Sequence, residues 1–217
     1  MSVIVLATRN KGKIAEIREL LAGFASEVRG LDAFPDLGDI PETGLTFEEN
    51  SLLKARTVCQ ATGLIALADD SGLAVDALNG APGVHSARYC GPALSGDTRS
   101  VDERNNAALL AALAGVAPER RNARFHCVIA ASAPGGASLV ARGVWEGRIL
   151  DAPDGDQGFG YDPLFFDPTL GMSAARMDRA TKNQRSHRGQ ALRALLAAWP
   201  SFRDSLRNDA ADTPNQG

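Results

Sequence analysis

The sequence predicts an α/β fold organised around a mixed β-sheet, and three observations support this. Val3–Ala7 and Leu64–Ala68 are short, unbroken apolar runs of the kind that form buried strands. Segments with helical apolar spacing follow the first run and precede the second. Ala123–Ala133 and Ser138–Ile149 are longer strand-like segments joined by Pro134-Gly135-Gly136, which predicts an antiparallel hairpin. Helices that alternate with strands, together with a hairpin, indicate a mixed sheet flanked by helices.

The composition is that of a globular protein. The 217 residues are 44% hydrophobic and 23% charged, and the net charge of −3 does not favour a nucleic-acid-binding face. The three cysteines form no CxxC pair, so neither a disulfide framework nor a zinc ribbon is indicated. No apolar stretch reaches the roughly 20 residues of a membrane helix. We expect one domain over residues 1–202, a disordered tail over 203–217, and a cytoplasmic location without membrane or nucleic-acid partners.

The first half of the chain has clear helix boundaries. A helix is predicted from near Gly12 to Gly23, and residues 24–45 are predicted to be mostly loop with at most one short strand. Thr46-Phe47-Glu48-Glu49 has the pattern of a capping box, so a second helix is expected to begin there and to end at Gly63.

The second half is less regular. Asp97 or Thr98 is the expected cap of a helix with its apolar part at Ala107–Leu113. Residues 151–163 form a glycine-rich acidic loop, and a short helix is expected near residues 173–178. The last helix is predicted over Ser186–Trp199, and the polar tail begins after Phe202.

A polar turn between the first strand and the first helix is a candidate phosphate site. Free N–H groups and the dipole at a helix start attract anions. Thr8 and Asn10 add polar donors, and Lys11 and Lys13 add charge. The chain has only four lysines, so a retained lysine can mark a place that needs a compact point charge. An ordinary turn with surface cations explains the same residues.

Asp69 and Asp70 follow the buried run Leu64–Ala68 directly, and ligands of α/β sheets collect at the carboxyl ends of strands. Carboxylates are ligands that suit Mg²⁺, which often binds one or two of them together with substrate phosphates. Glu42 lies in a turn before the second helix and is a candidate third carboxylate. The alternative is a solvated turn, because Asp-Asp-Ser-Gly is good turn chemistry.

Two further segments are candidates for base recognition. Phe159-Gly160-Tyr161-Asp162-Pro163 carries two rings that could stack on a nucleobase, or that could instead pin the loop to the core. Ser186-His187-Arg188 begins the last helix and offers hydrogen-bond donors, although exposed first-turn residues would show the same pattern.

Taken together, these segments resemble the inosine triphosphate pyrophosphatase family, the Ham-like dITP/XTP pyrophosphatases. The motifs that carry the resemblance occur in order over residues 3–197: Ala7-Thr8-Arg9-Asn10-Lys11-Gly12-Lys13, Glu42-Thr43-Gly44-Leu45-Thr46-Phe47-Glu48-Glu49-Asn50, Ala68-Asp69-Asp70-Ser71-Gly72-Leu73, Gly80-Ala81-Pro82-Gly83-Val84-His85-Ser86-Ala87-Arg88-Tyr89, Phe159-Gly160-Tyr161-Asp162-Pro163 and Ser186-His187-Arg188-Gly189-Gln190-Ala191-Leu192. Six motifs in one order are a far more specific signal than any single motif.

The resemblance implies an elongated mixed sheet, a substrate cleft between two lobes, a homodimer, and Mg²⁺-dependent cleavage of ITP, dITP and XTP to monophosphate and pyrophosphate. It implies that Asp70 is the catalytic carboxylate, and that Glu42, Asp70 and Asp69 are the candidate metal ligands. The substrate contacts that it implies are Thr8, Arg9, Asn10, Lys11, Gly12, Lys13, Ser71, Phe159, Gly160, Tyr161, Asp162, Lys182, His187 and Arg188.

Two other functions stay open at this stage. A Maf-like nucleotide pyrophosphatase would act on other nucleotides, but the Ser-His-Arg and Phe-Gly-Tyr-Asp motifs favour the first family. A nucleotide sensor without hydrolytic activity would bind the same ligands, but it has no need of a water-activating carboxylate.

Overall fold

The computed structural model describes residues 3–25, 27–92 and 97–211, and in the last range the side chains only as far as residue 207. Its strands and helices are β1 (Val3–Leu6), α1 (Lys11–Leu20), β2 (Glu27–Arg29), α2 (Phe47–Thr62), β3 (Ile65–Val75), α3 (Val101–Ala112), β4 (Asn122–Ser132), β5 (Ser138–Ile149), β6 (Phe165–Asp167), β7 (Met172–Ser173), α4 (Arg179–Arg185) and α5 (His187–Ala211). Within these ranges no helix is both long enough and apolar enough to cross a membrane.

The seven strands form one mixed sheet in the order β2-β1-β3-β4-β5-β6-β7. β1 runs parallel to β2 and β3, whereas β6 runs antiparallel to β5 and β7. β4 and β5 are neighbours joined by a tight turn in which the Ala133 N–H donates to the carbonyl of Ala137. The predicted α/β class and mixed sheet are therefore confirmed.

The chain divides into two compact units, which we describe separately. The first comprises Met1–Asp70, Val128–Gly143 and Gln190–Gly217, and the second comprises Ser71–Cys127 and Val144–Gly189. In the first unit, small and branched side chains of β1 and β3 pack against α2; the cluster contains Val5, Ala7, Ala55, Val58, Cys59, Ala66 and Ala68. In the second unit, the core is richer in aromatic side chains and contains Leu73, Val75, Leu109, Leu113, Phe125, Trp145, Tyr161 and Phe165.

The helix α2 has the boundaries that its sequence signals predict. Thr46 Oγ1 accepts from the N–H of Glu49 at 3.1 Å, and Glu49 Oε2 accepts from the N–H of Thr46 at 3.1 Å. Gly63 ends the helix with a φ of 66°, the left-handed conformation that glycine adopts without steric cost. The cap and the stop set the two ends of α2.

The end of β3 was predicted wrongly. The sequence indicates a strand over Leu64–Ala68 followed by a turn, but β3 continues to Val75 and includes Asp69, Asp70 and Ser71. Both carboxylates are buried, because lysine side chains neutralise them. The strand that ends here is β1, whose last residue Leu6 pairs with Leu67. Asp69 and Asp70 therefore lie within β3, next to the carboxyl end of the neighbouring strand β1, and not after the end of β3.

Other boundaries also differ. The cap of α3 is Ser100, in a capping box with Glu103, because Asp97 bonds to Arg99 instead. The short strands β6 and β7 were missed. The helix expected near residues 173–178 is only a single turn at Ala174–Arg176, and α4 follows it. α5 continues to Ala211, so the helix does not end at the predicted start of the tail; residues 212–217 lie outside the described residues.

Candidate active site

A buried cluster of carboxylates and lysines lies in the first unit, where β1 ends. Lys54 Nζ, on α2, donates to Glu42 Oε1 at 2.9 Å, to Asp70 Oδ1 at 2.8 Å and to the backbone carbonyl of Asp69 at 3.0 Å. Lys13 Nζ pairs with the carboxylate of Asp69 and lies 3.4 Å from the same carbonyl. Three of the predicted residues, Glu42, Asp69 and Asp70, are thus brought together around two ammonium groups.

The position of Glu42 depends on the start of α2. Asn50 Oδ1 accepts from the N–H of Gly44 at 2.8 Å, and Glu49 Oε2 accepts from the N–H of Leu45 at 2.7 Å. A Cβ on Gly44 would lie 2.7 Å from Glu49 Cβ, so only glycine fits this close approach. Asn50 is four residues before Lys54, and this spacing puts both side chains on the same face of α2.

The turn after β1 forms its own local network. Asn10 is the N-cap of α1, and its Oδ1 accepts from the N–H of Lys13 at 3.0 Å, while Thr8 Oγ1 accepts from the N–H of Asn10 at 3.2 Å. The Arg9 guanidinium does not take part in this network and donates to the Leu37 carbonyl at 2.5 Å. Lys11 and Gly12 begin α1. Of this turn, Lys13 is the side chain that reaches the carboxylates.

Burial and charge set the properties of Asp70. Burial raises the pKa of Asp70 above its ordinary value, and although Lys54 and Lys13 counteract this, burial prevails. Burial also opposes the charge on Lys54, but Asp70 and Glu42 together raise the pKa of its ammonium. The cluster contains three carboxylates and two ammonium groups, so with all of them charged it retains a net negative charge.

The donor set fits Mg²⁺. Asp70 Oδ2 is buried and accepts no hydrogen bond, although its partner oxygen Oδ1 is held by Lys54. An unsatisfied buried carboxylate oxygen is costly unless a cation, a water molecule or a substrate completes it. No group of three His, Cys, Asp or Glu side chains arranged to hold a metal occurs in the part of the chain that the structure describes. That is compatible with Mg²⁺, which commonly binds one or two carboxylates and completes its shell with water and substrate phosphates.

A second cluster of predicted residues lies in the second unit. Lys182 Nζ donates to Asp162 Oδ2 at 2.6 Å and lies 5.0 Å from the centroid of the Phe159 ring. The Arg188 guanidinium lies 5.6 Å from the same centroid and donates to Ser71 Oγ at 2.9 Å. Asp162 Oδ2 also accepts from the N–H of Phe159 at 2.8 Å. An aromatic face, two cationic donors and a hydroxyl are thus assembled.

Two predicted contacts have other surroundings. The ring of Tyr161 is part of the hydrophobic core, and its hydroxyl donates to the Ser86 carbonyl at 2.9 Å. His187 is buried and stacks on Phe125, with ring centroids 4.7 Å apart, and more distantly on Trp145. Of the two loop rings, Phe159 is therefore the one outside the core.

Lys54 is a member of the carboxylate–lysine cluster that the sequence did not predict. Its partners Asp70 and Glu42 are 16 and 12 residues away in the chain, so no local motif connects them. One signal was available, because the chain has only four lysines. Lys13, Lys54 and Lys182 are each paired with a carboxylate.

The site has carboxylates and lysines at the end of a parallel strand, beside a polar turn that begins a helix. In an α/β protein, such a site suits a ligand that carries phosphate groups. The family is shown by comparison: the Ham1 family model matches residues 4–198, and the chain belongs to the Ham1 family. The resemblance inferred from the six motifs is confirmed.

Known relatives extend over most of the chain. It is 60% identical over 203 residues to a protein of Nitratidesulfovibrio vulgaris named dITP/XTP pyrophosphatase, covering 93% of this chain and 97% of that relative. A Streptococcus thermophilus protein of the same name is 46% identical, but this chain spans only 61% of its length. The fold matches that of a Ham1 protein from Coxiella burnetii at 45% identity, with a TM-score of 0.80, covering 93% of this chain and all (100%) of that one. It also matches the Staphylococcus aureus Ham1 protein at 40% identity, with a TM-score of 0.79, over 92% of this chain and 98% of the other.

Proposed function

We propose that this protein hydrolyses the deaminated purine nucleoside triphosphates ITP, dITP and XTP to the monophosphate and pyrophosphate. The names of its relatives support this substrate class. The observation that carries the proposal is Asp70, a buried carboxylate whose one oxygen is fixed by Lys54 while the other lacks a partner. A pure binding protein gains nothing from that arrangement, whereas a hydrolase needs an acceptor for the proton of water.

The phosphates are assigned to the first unit. A nucleoside triphosphate is a polyanion, and phosphoryl transfer depends chiefly on positioning and charge neutralisation. Lys11 and Lys13 supply positive charge, the N–H groups of Lys11 and Gly12 at the start of α1 are donors, and Thr8 and Asn10 add side-chain donors, because their own N–H groups bond within the turn. Asp70 accepts a proton from the water that attacks the α-phosphorus, and the bond between that phosphorus and the bridging oxygen breaks, so that pyrophosphate leaves. Lys54 holds Asp70 and Glu42 in place through this step.

Mg²⁺ is the proposed cofactor. Glu42 would hold it, and Asp69, which pairs with Lys13, is the weaker candidate. Asp70 is the alternative ligand: its one oxygen not bonded to Lys54, Oδ2, would hold the ion or take the proton of water, but not both at once. When bound, the ion neutralises charge on the phosphates.

The base is assigned to the second cluster. Phe159 offers a stacking face, and Lys182 and Arg188 are cationic donors within 6 Å of its centroid. Such donors pair with a six-keto oxygen, whereas the six-amino group of adenine would leave them unpaired. Sites built on such bonds reject the mispaired analogue by about 10⁴-fold. Ser71 and Asp162 hold the two cations in place, and His187, at the start of the same helix as Arg188, is stacked on Phe125.

The protein is further proposed to act as a homodimer in the cytoplasm on this small-molecule substrate, without nucleic-acid or membrane partners. The family resemblance supports the dimer, and the free thiols of Cys59, Cys90 and Cys127 suit a reducing compartment. Light scattering of the purified protein tests the dimer directly: a monomer at micromolar concentration would contradict it.

The test of the activity is pyrophosphate release from ITP, XTP and ATP, with and without EDTA. Asp70→Asn should lower the rate by about 10²–10⁴, while the control Asp204→Asn, at an exposed position, keeps it. EDTA should abolish turnover. Hydrolysis that favours other nucleotides would support a Maf-like enzyme, and binding without hydrolysis would support a sensor.

A further inference from the structure

We propose that Asp102 and Asn106 of α3 are positioning residues for the Phe159 ring, and through it for the base; this inference rests on the proposed function. Both side chains hold the next residue of the loop, Gly160. Asp102 Oδ2 accepts from the N–H of Gly160 at 2.8 Å, and Asn106 Nδ2 donates to the Gly160 carbonyl at 2.9 Å. The two partners are four residues apart, so they lie on one face of α3.

The loop backbone is fixed at two consecutive residues. Asp162 holds the N–H of Phe159, and α3 holds both polar backbone groups of Gly160. Gly160 has a φ of 62°, and nothing lies within 4 Å of the position that a Cβ would take. Its conformation, and not a lack of space, therefore favours glycine, and the two α3 hydrogen bonds stabilise that conformation. The backbone that carries the Phe159 ring is therefore hydrogen-bonded on both sides, to Asp162 and to α3.

The helix that holds the loop is itself well anchored. A reciprocal capping box of Ser100 and Glu103 begins α3, Asn105 Oδ1 accepts from the N–H of Cys90 at 2.8 Å, and Leu109 is in the core. Asp102 is exposed and Asn106 is only half-buried, so their own packing in the core does not account for these bonds. A rigid element thus carries a loop that presents a functional side chain.

The consequence concerns geometry at the base site. The Phe159 ring lies 5.0 Å and 5.6 Å from the cationic groups of Lys182 and Arg188, respectively. A displacement of the ring by about 1 Å would misalign a stacked base with both donors, and errors of that size can cost up to about 10²-fold. Loss of the α3 contacts should therefore weaken recognition of the base and spare recognition of the phosphates.

The experiment uses three variants, two of them near-isosteric. Asp102→Asn keeps an oxygen that can accept from Gly160, whereas Asn106→Leu removes the donor without changing size greatly; Asp102→Ala removes the acceptor. Amide hydrogen exchange at Gly160 should accelerate about tenfold or more in Asp102→Ala and remain near the wild-type rate in Asp102→Asn. Inosine dissociation constants and the KM for ITP should rise several-fold in Asp102→Ala and Asn106→Leu, while tripolyphosphate affinity and kcat change little.

Coupling to the ring separates positioning from general stability. In the background Phe159→Ala, Asn106→Leu should no longer affect inosine binding, whereas a structural defect would add its full cost again. Unchanged inosine binding in both disruptive variants, or additive effects with Phe159→Ala, would overturn the proposal. Failure of the proposed function is distinguishable, because the wild-type protein itself would then not cleave ITP, while Gly160 exchange would still report on the α3 contacts.

Discussion

At the residue scale, the positions of the few lysines indicate the candidate site, because most other cations of the chain are arginines. Arginine is the usual cation here, with 19 copies against four lysines. Three of the lysines pair with carboxylates at places where their side chains are largely buried, and a compact ammonium suits such a place. Lys54 contacts three oxygens at 2.8–3.0 Å, using all the donors of its ammonium group.

Lys54→Met should lower kcat by about 10²–10³, the cost of losing one preorganised donor in an active site. Removal of the ammonium leaves Asp70 and Glu42 without their shared cation, so Asp70 loses its orientation. The measurement is single-turnover cleavage of ITP at saturating Mg²⁺, with Arg207→Met, at an exposed site on α5, as the control. A rate within a factor of a few of wild type would remove Lys54 from the catalytic machinery.

Lys54 also shows what the sequence could not provide. Turn chemistry and capping patterns are local, so the polar turn after β1 and the α2 cap could be predicted, and Glu42 and Asp70 could be named as candidates. The contacts of Lys54 with Glu42, Asp69 and Asp70 depend on the packing of α2 beside β3. No pattern within a few residues of Lys54 predicts them. Burial of Asp69 and Asp70 inside a strand was missed for the same reason, because the neutralising lysines are distant in the chain.

At the element scale, Asp167 links three elements of the second unit. Its buried carboxylate accepts from Trp145 Nε1 on β5 and Arg185 Nε on α4, each at 2.8 Å, and from the N–H of Thr169 at 2.8 Å. Burial opposes the charge and is the largest influence, but the hydrogen bonds together lower the pKa of Asp167. The carboxylate therefore ties β6 to its neighbour strand and to the helix that carries Lys182.

Asp167→Ala should lower the free energy of unfolding at pH 7 by about 2–4 kcal/mol, because charged hydrogen bonds contribute about 1.5–3 kcal/mol and the Trp145 donor is left buried and unpaired. Since folding lowers the pKa of this carboxyl, its contribution is present above the unfolded value of about 3.9 and is lost as pH falls through the folded value. Urea unfolding at pH 7 and pH 3 tests this: the difference from wild type should shrink at pH 3. An equal difference at both pH values would contradict the charged role.

Short elements were the ones that sequence patterns did not predict. β6 and β7 contain three and two residues, too few to show a period of two, and they exist because β5 offers an edge with which β6 pairs. α4 has seven residues and little apolar spacing; its cap Asp178, which accepts from the N–H of Thr181 at 2.8 Å, was the one available signal. Long segments with strong periodicity, such as α2 and β4, were predicted within a few residues.

At the scale of the whole molecule, the two candidate subsites belong to different compact units. Asp69, Asp70 and Lys13 belong to the first unit, and Phe159, Lys182 and Arg188 to the second. Asp70 and Ser71 are consecutive residues of β3, so the chain passes directly from one group of functional residues to the other. The candidate residues therefore divide into two groups, and the proposed role of each group can be tested with its own ligand.

Ligand fragments should separate those tasks. Lys13→Ala should weaken tripolyphosphate and ITP binding about tenfold or more, since tenfold corresponds to about 1.4 kcal/mol, and should leave inosine binding unchanged. Phe159→Ala should weaken inosine and ITP binding by about ten- to a hundredfold, the usual cost of a lost base stack, and should leave tripolyphosphate unchanged. Calorimetric titration of tripolyphosphate, inosine and ITP into the wild-type protein and the two variants gives all nine dissociation constants. If Lys13→Ala weakened inosine as much as tripolyphosphate, Lys13 would not be a phosphate ligand, and the division of labour between the two units would be wrong.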